Sequence, residues 1–277
     1  MNPLEMTDGD FNRVRTRKNR KKREFALERT TGKNDWIRFL PIIILLVVWE
    51  ILGRINITSR AMFPPFSDVL KEFFVLLRNR VLIVNFEASL FRVIAGFVWG
   101  SLLGILMGIV IGWNRFIDRV LSPIISILYP IPALGWLPIL MLWIGINNML
   151  PITIIFICSF FPVCYNTVCG IKNVDPNYVR VARTLGASKV KIVVRVLFPL
   201  ALPNIFTGLR LESGMAWRVI IAAEMVAIPT GIGALMMRAE SLIRMDIIII
   251  CLLILSVMTF LFERGFLYLE RRVVKWR

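Results

Sequence analysis

Six apolar runs of about twenty residues or more divide this chain, at about 36–55, 91–113, 120–146, 149–170, 202–228 and 246–267. Such a run is the length an α-helix needs to cross the roughly 30 Å hydrocarbon core of a bilayer. Inside that core every backbone N–H and C=O must find its partner within the segment, so helices are the expected elements. The sequence is therefore read as an all-α integral membrane protein with six transmembrane helices. One membrane domain, 36–277, follows a polar tail, 1–35. A composition of 57% hydrophobic residues and a mean hydropathy of +0.71 exclude an ordinary soluble domain.

Charge fixes the expected orientation. A net charge of +16 often signals a nucleic-acid partner, but here the basic residues lie between the apolar runs, so none is expected. With both termini inside, the inner segments 1–35, 114–119, 171–201 and 264–277 hold 23 Lys and Arg. The outer segments 55–84 and 229–245 hold six. This is the positive-inside distribution of a multi-pass protein of the cell membrane with cytoplasmic termini. Seven basic residues fall between Arg15 and Arg23 in a tail without apolar periodicity, which is expected to be disordered and to act as a topology determinant. Membrane lipids are the other partner such a tail suits. Glu50 and Arg54 end the first run, with no small-residue cleavage site, so it reads as an uncleaved span.

Chemistry-bearing residues are sparse. The chain has no histidine, which removes the commonest metal ligand and general base. Cys158, Cys164, Cys169 and Cys251 lie in apolar runs without C-x-x-C spacing and read as small core residues. No catalytic, cofactor-binding or metal-ligating residue is expected.

The spans differ in what interrupts them. Gly96, Gly100, Gly104, Gly108 and Gly112 repeat every fourth residue in the second run and predict a seam where a neighbouring helix approaches closely. The third run carries Pro123, Pro130, Pro132 and Pro138, which free backbone carbonyls and mark it as a candidate pathway-lining helix. The fifth holds Arg210, Glu212, Arg218 and Glu224. Charges at that depth cost roughly 2.5–3.5 kcal/mol each on insertion scales unless paired or hydrated. Arg210, Trp217 and Glu224 are seven apart and share a face. Glu224 is expected to line a pathway or make a structural ion pair, whereas Arg210 is within snorkelling reach of the inner surface. The expected pathway residues are Pro132, Pro138, Trp217 and Glu224. Before the second run, Met62–Phe66 breaks the chain, and the residues from Ser67 form an amphipathic segment too charged to span.

Between the fourth and fifth runs lies a basic stretch, 175–199. Asp175 is placed to cap a helix opened by Pro176. Tyr178, Val181, Ala182 and Leu185 follow one apolar face of that helix. Gly186 suits a left-handed end and Ser188 a new start. Val190, Val193, Val194 and Leu197 make a second apolar face, and Pro199 is expected to stop it. The segment reads as a short amphipathic helical hairpin.

The same residues resemble the cytoplasmic loop of permease subunits of ATP-binding-cassette (ABC) importers. That loop has the pattern E-A-A, three residues, G, nine residues, I-x-L-P. Arg180, Val181 and Ala182 stand at its first three positions, Gly186 at the glycine with Ala187 beside it, and Val196 to Pro199 at its end. The spacing matches; the leading Glu and first Ala do not. LPNIFTGLRLESGMAW with AAEM, SLFRVIAGF at Ser89–Phe97 and YPIPALGWLPILMLWIGI at Tyr129–Ile146 resemble the branch importing nitrate, sulfonates, taurine and bicarbonate-type solutes.

The resemblance implies a type I importer permease fold, with the hairpin as its coupling helices. It implies a homodimer, a separate ABC ATPase subunit holding ATP and Mg, and an extracytoplasmic solute-binding protein. Arg180, Val181, Ala182, Gly186, Ala187 and Pro199 would then meet the ATPase, and the cargo would be a small, anionic solute. No phosphate-binding loop exists here: the only Gly-Lys, Gly32-Lys33, is followed by Asn34. The alternative is a stand-alone secondary transporter using Glu224 for ion coupling, which gives the hairpin no role.

Overall fold

The computed structural model describes residues 35–55 and 62–274. The basic tail expected over 1–35 lies, apart from Asp35, outside the described residues. The chain divides into two units, 1–57 and 58–277. The first contributes α1 (Asp35–Arg54), whose 20 residues reach about 30 Å at 1.5 Å per residue. Its side chains from Leu40 to Leu52 are mostly apolar and almost all exposed.

The second unit opens with α2 (Phe66–Arg78), started by extended Pro65 and favoured by Asp68 in its first turn and Arg78 in its last. Val69 and Leu76 are buried while Leu70, Phe74 and Val75 are exposed. Glu72 meets Arg244 at 2.9 Å, which ties this helix to a distant loop.

In α3 (Val81–Trp113) the glycine row lies against α6 (Met149–Lys172). A Cβ at Gly96, Gly100 or Gly104 would sit 2.7, 2.5 or 2.8 Å from the carbonyl oxygen of Ile152, Phe156 or Phe160. At Gly108 it would meet Thr167, and at Gly112, Ile171. The missing side chains let two backbones touch along five turns, and dispersion over that contact holds them. Gly104→Leu is therefore expected to separate the helices and lower stability by at least about 1–3 kcal/mol. Size-exclusion chromatography of the purified protein should show a reduced folded yield; a wild-type profile would contradict the close seam.

The third expected span is broken. α4 (Arg115–Leu128) and the segment Ala133–Ile144, which ends in α5 (Leu137–Ile144), meet at 93°. Pro130 and Pro132 lie in the break, where neither has an N–H to continue the helix. Pro138 falls in the first turn of α5, where no such N–H is needed. Asn114 caps α4 by accepting from Phe116 N–H at 2.9 Å. Lys172 at the end of α6 pairs with Asp118 of α4 at 2.5 Å.

After α6 come α7 (Pro176–Thr184), α8 (Lys189–Ile192), a wider helical turn over Val193–Leu197, and α9 (Phe198–Ala227). Pro199 does not stop the second hairpin helix, contrary to the sequence expectation; helix runs on from Lys189 to Val226. The wide turn shifts the hydrogen-bond register just before Pro199, which lets the helix pass a residue that has no N–H to bond back to the preceding turn. Finally α10 (Ile232–Ser241) and α11 (Met245–Val273) complete the unit.

α9 packs between α6 and α11. Gly170 of α6 lies close to Ala201 and Asn204. Trp217 meets Phe262 edge-on at 5.4 Å, and Arg210 meets Glu270 at 3.8 Å, so Arg210 has a protein partner as well as its exposed flank. Among the described residues α3, α6, Lys189–Val226 and α11 are long and apolar enough to cross a membrane, and the bent pair would make a fifth crossing.

Candidate functional site

Three places gather the polar residues of the second unit. The first is a buried cluster where α3, α9 and the loop after α9 meet. Asn85, Ser89 and Arg92 lie on one face of α3, four and then three residues apart. Arg92 is 3% exposed and Glu224 of α9 is 0% exposed, and their side chains pair at 2.6 Å. Arg92 also donates to Thr230 O at 2.7 Å, Thr230 Oγ1 at 2.8 Å and Asn148 Oδ1 at 2.6 Å. Ser89 donates to the Glu224 carboxylate at 2.8 Å and accepts from Ile232 N–H at 2.9 Å. Gly233 N–H donates to Glu224 at 3.0 Å, and Gly231 N–H to Asn85 Oδ1 at 2.9 Å.

A buried carboxylate and guanidinium are stable only when paired and hydrogen-bonded on all sides, and this site meets that demand. Gly231 has φ +123°, and a Cβ there would run into the Glu224 carboxylate. The loop is thus shaped to deliver backbone N–H groups to side chains of two helices. Of the two roles expected for Glu224, the geometry is that of a structural ion pair. Sequence reading did not single out Arg92; the shared face of Asn85, Ser89 and Arg92 is the signal that finds it.

The second place is the hairpin of α7 and α8. Asp175 accepts from Asn177 N–H at 2.8 Å and Ser188 from Lys191 N–H at 3.4 Å, so each helix has its cap. Between them Gly186 has φ +76° and Ala187 N–H reaches back to Ala182 O at 3.0 Å. Ile192 and Leu197 are buried with Ile171, Ala201 and Ile205, and Val179, Ala182 and Ala187 pack against them. Tyr178, Val181, Leu185, Val190 and Val194 are exposed instead, Leu185 at 81%. Arg180 and Arg183 are also exposed, and Pro199 is half-buried at the foot of the hairpin. Three of the four residues of the first apolar stripe read from the sequence, and two of the four of the second, therefore face away from the chain's own core.

The third is a cavity of about 430 Å³ where the α4–α5 bend faces α6 and α9. Pro132 lines it, with Tyr129, Phe161, Cys158 and Glu212. The other expected pathway residues do not. Pro138 is exposed on α5, Glu224 is sealed in its ion pair, and Trp217 is fully buried beside Phe86 and Phe262. Among the described residues no group of three His, Cys, Asp or Glu side chains could hold a metal ion.

Comparisons with known proteins agree with this architecture. Residues 100–275 match the family model described as binding-protein-dependent transport system inner membrane component. The taurine transport system permease protein of Escherichia coli is 31% identical over 238 residues, covering 84% of this chain and 86% of that one. The nitrate import permease protein of Synechocystis is 36% identical over 244 residues, covering 85% and 88%. Among solved structures, an amino acid ABC transporter crystallised with histidines superposes with a TM-score of 0.60 at 21% identity. That match covers 72% of this chain and 97% of that one and shows the fold alone. The chain belongs to the inner membrane components of binding-protein-dependent transport systems, as a multi-pass ABC importer permease of the nitrate, sulfonate and taurine branch.

Proposed function

We propose that this chain forms the translocation pathway for uptake of a small, anionic solute of the sulfonate, taurine or nitrate class. ATP is hydrolysed, with Mg, by a separate ABC ATPase subunit that docks on the α7–α8 hairpin. An extracytoplasmic binding protein delivers the solute, and two copies of this chain enclose the path. Six spans, with α1 and the bent α4–α5 pair among them, place both termini and the hairpin in the cytoplasm of a cell membrane. The basic tail 1–35 holds that orientation, and the exposed apolar faces of α1 and α11 meet lipid.

One observation carries the reading. The hairpin is capped at both starts and rooted in a buried apolar cluster, yet it turns Tyr178, Val181, Leu185, Val190 and Val194 outward. An apolar face held rigidly away from its own core is what helix-in-groove docking uses. With α8 continuous into α9, a push on the hairpin would travel directly into a span. Arg180 replaces the family's glutamate at the tip, so the docking groove is expected to offer an acidic residue there. The secondary-transporter alternative loses its support, because Glu224 is neutralised by Arg92 and closed off from any path.

The test is biochemical. The isolated chain is expected to hydrolyse no ATP above background. Co-expressed ATPase should co-purify with it, and solute-loaded binding protein should stimulate hydrolysis by the complex. Hydrolysis by the chain alone would overturn the proposal.

A further inference from the structure

Two glutamates of α9 are buried, and only one has a cation. Glu224 is met by Arg92, Ser89 and the Gly233 N–H. Glu212, twelve residues earlier, is 8% exposed and lines the cavity under the α4–α5 bend. Its side-chain contact is the Cys158 thiol, 3.6 Å from Oε2, a weak donor. None of the described residues lining that cavity is positively charged. The walls are otherwise apolar or aromatic, with Tyr129, Pro132, Phe161 and Met215 among them. Tyr129 is held in place by stacking on Tyr165 at 5.1 Å.

A carboxylate set in a largely apolar wall is costly unless a cation joins it or a proton neutralises it, and when charged it repels a second anion. Aromatic walls add attraction for an ammonium group, whose charge the ring faces stabilise. About 430 Å³ lies within the range of small-molecule sites. We propose that this cavity binds the ammonium group of the transported solute, with Glu212 as its counter-ion. The cargo is then a zwitterion such as an aminoalkanesulfonate rather than a simple anion. This inference rests on the import reading and narrows it.

The experiment uses the permease–ATPase complex in lipid nanodiscs with labelled taurine as probe. Taurine is expected to bind, ethylammonium to displace it, and ethanesulfonate and nitrate to leave it in place. Glu212→Gln should weaken taurine binding about tenfold or more, and Glu212→Asp should restore part of it, with the unfolding midpoints of all three proteins alike. The inference is overturned if taurine does not bind, if ethanesulfonate displaces it as well as ethylammonium does, or if Glu212→Gln binds it like wild type. ATP-driven uptake of nitrate or ethanesulfonate, at equal rates in wild type and Glu212→Gln, would overturn it while leaving the import reading intact. Ammonium-dependent binding without ATP-driven uptake of any of these probes would instead overturn the import reading and the cargo assignment with it, while leaving Glu212 as an ammonium site.

Discussion

Replacing Glu224 by alanine is expected to destabilise the protein by about 3–5 kcal/mol, the usual cost of stranding one member of a buried ion pair. The substitution leaves Arg92 charged at 3% exposure, and it removes the acceptor of the Ser89 hydroxyl and the Gly233 N–H. Arg92→Leu should cost a similar amount, since it strands Glu224 and frees Thr230 and Asn148. Changing both residues to methionine should cost clearly less than the sum of the two single changes, because no unpaired charge then remains. Thermal unfolding of the purified proteins, followed by loss of folded material on heating, reads all three effects. A wild-type midpoint for Glu224→Ala would contradict the buried pair.

Gly186→Val is expected to break coupling without breaking the fold. Gly186 has φ +76°, and nothing lies within 4 Å of the position a Cβ would take. A valine there meets no steric obstacle, so its whole effect is backbone strain, of the order of 1–3 kcal/mol. The hairpin relieves that strain by changing the angle between α7 and α8, which re-aims Leu185 and Val190. If the strain appears in full in docking, ATPase affinity falls about 5- to 150-fold. Gly186→Asn is the control, since asparagine tolerates the left-handed region and should stay near wild type. Membrane insertion should be unchanged for both. ATPase retention on the immobilised permease measures the effect, and equal retention by wild type and Gly186→Val would contradict a docking role for the hairpin.

How far the sequence discloses these features depends on where each polar group finds its partner. The second, fourth, fifth and sixth expected spans fall on helices long and apolar enough to cross a membrane and the third on a bent helix pair, because length and apolarity are local properties. The second span, read as starting near residue 91, begins as helix at Val81. Asn85 and Ser89 precede the expected span and Arg92 falls at its start, so the sequence assigns them no partner. They are satisfied by Glu224 and by the 230–233 loop, more than 130 residues away in sequence. Such a partner is invisible to periodicity. The glycine row was legible as a contact surface, but only the structure names α6 as what fills it. Four prolines marked the third span as irregular, yet their count does not say that the chain turns 93° at Tyr129–Pro132. In the hairpin Tyr178, Val181, Ala182 and Leu185 share the expected spacing, but of these only Ala182 packs on the core. An apolar stripe does not disclose whether it faces its own core, and here Val179, outside the stripe, turns inward beside Ala182. Glu212 and Glu224 looked alike as charges within one span; their surroundings make one a structural pair and the other a lone carboxylate in a cavity.

The proposed function requires that solute move only when a separate ATPase drives it. The direct measurement is uptake of labelled taurine, ethanesulfonate and nitrate into proteoliposomes containing the permease, with and without its ATPase, in the presence of the solute-binding protein. At least one of the three is expected to accumulate against its gradient, and only with both the ATPase and ATP present. Accumulation by the permease alone, driven by an imposed ion gradient, would contradict that function.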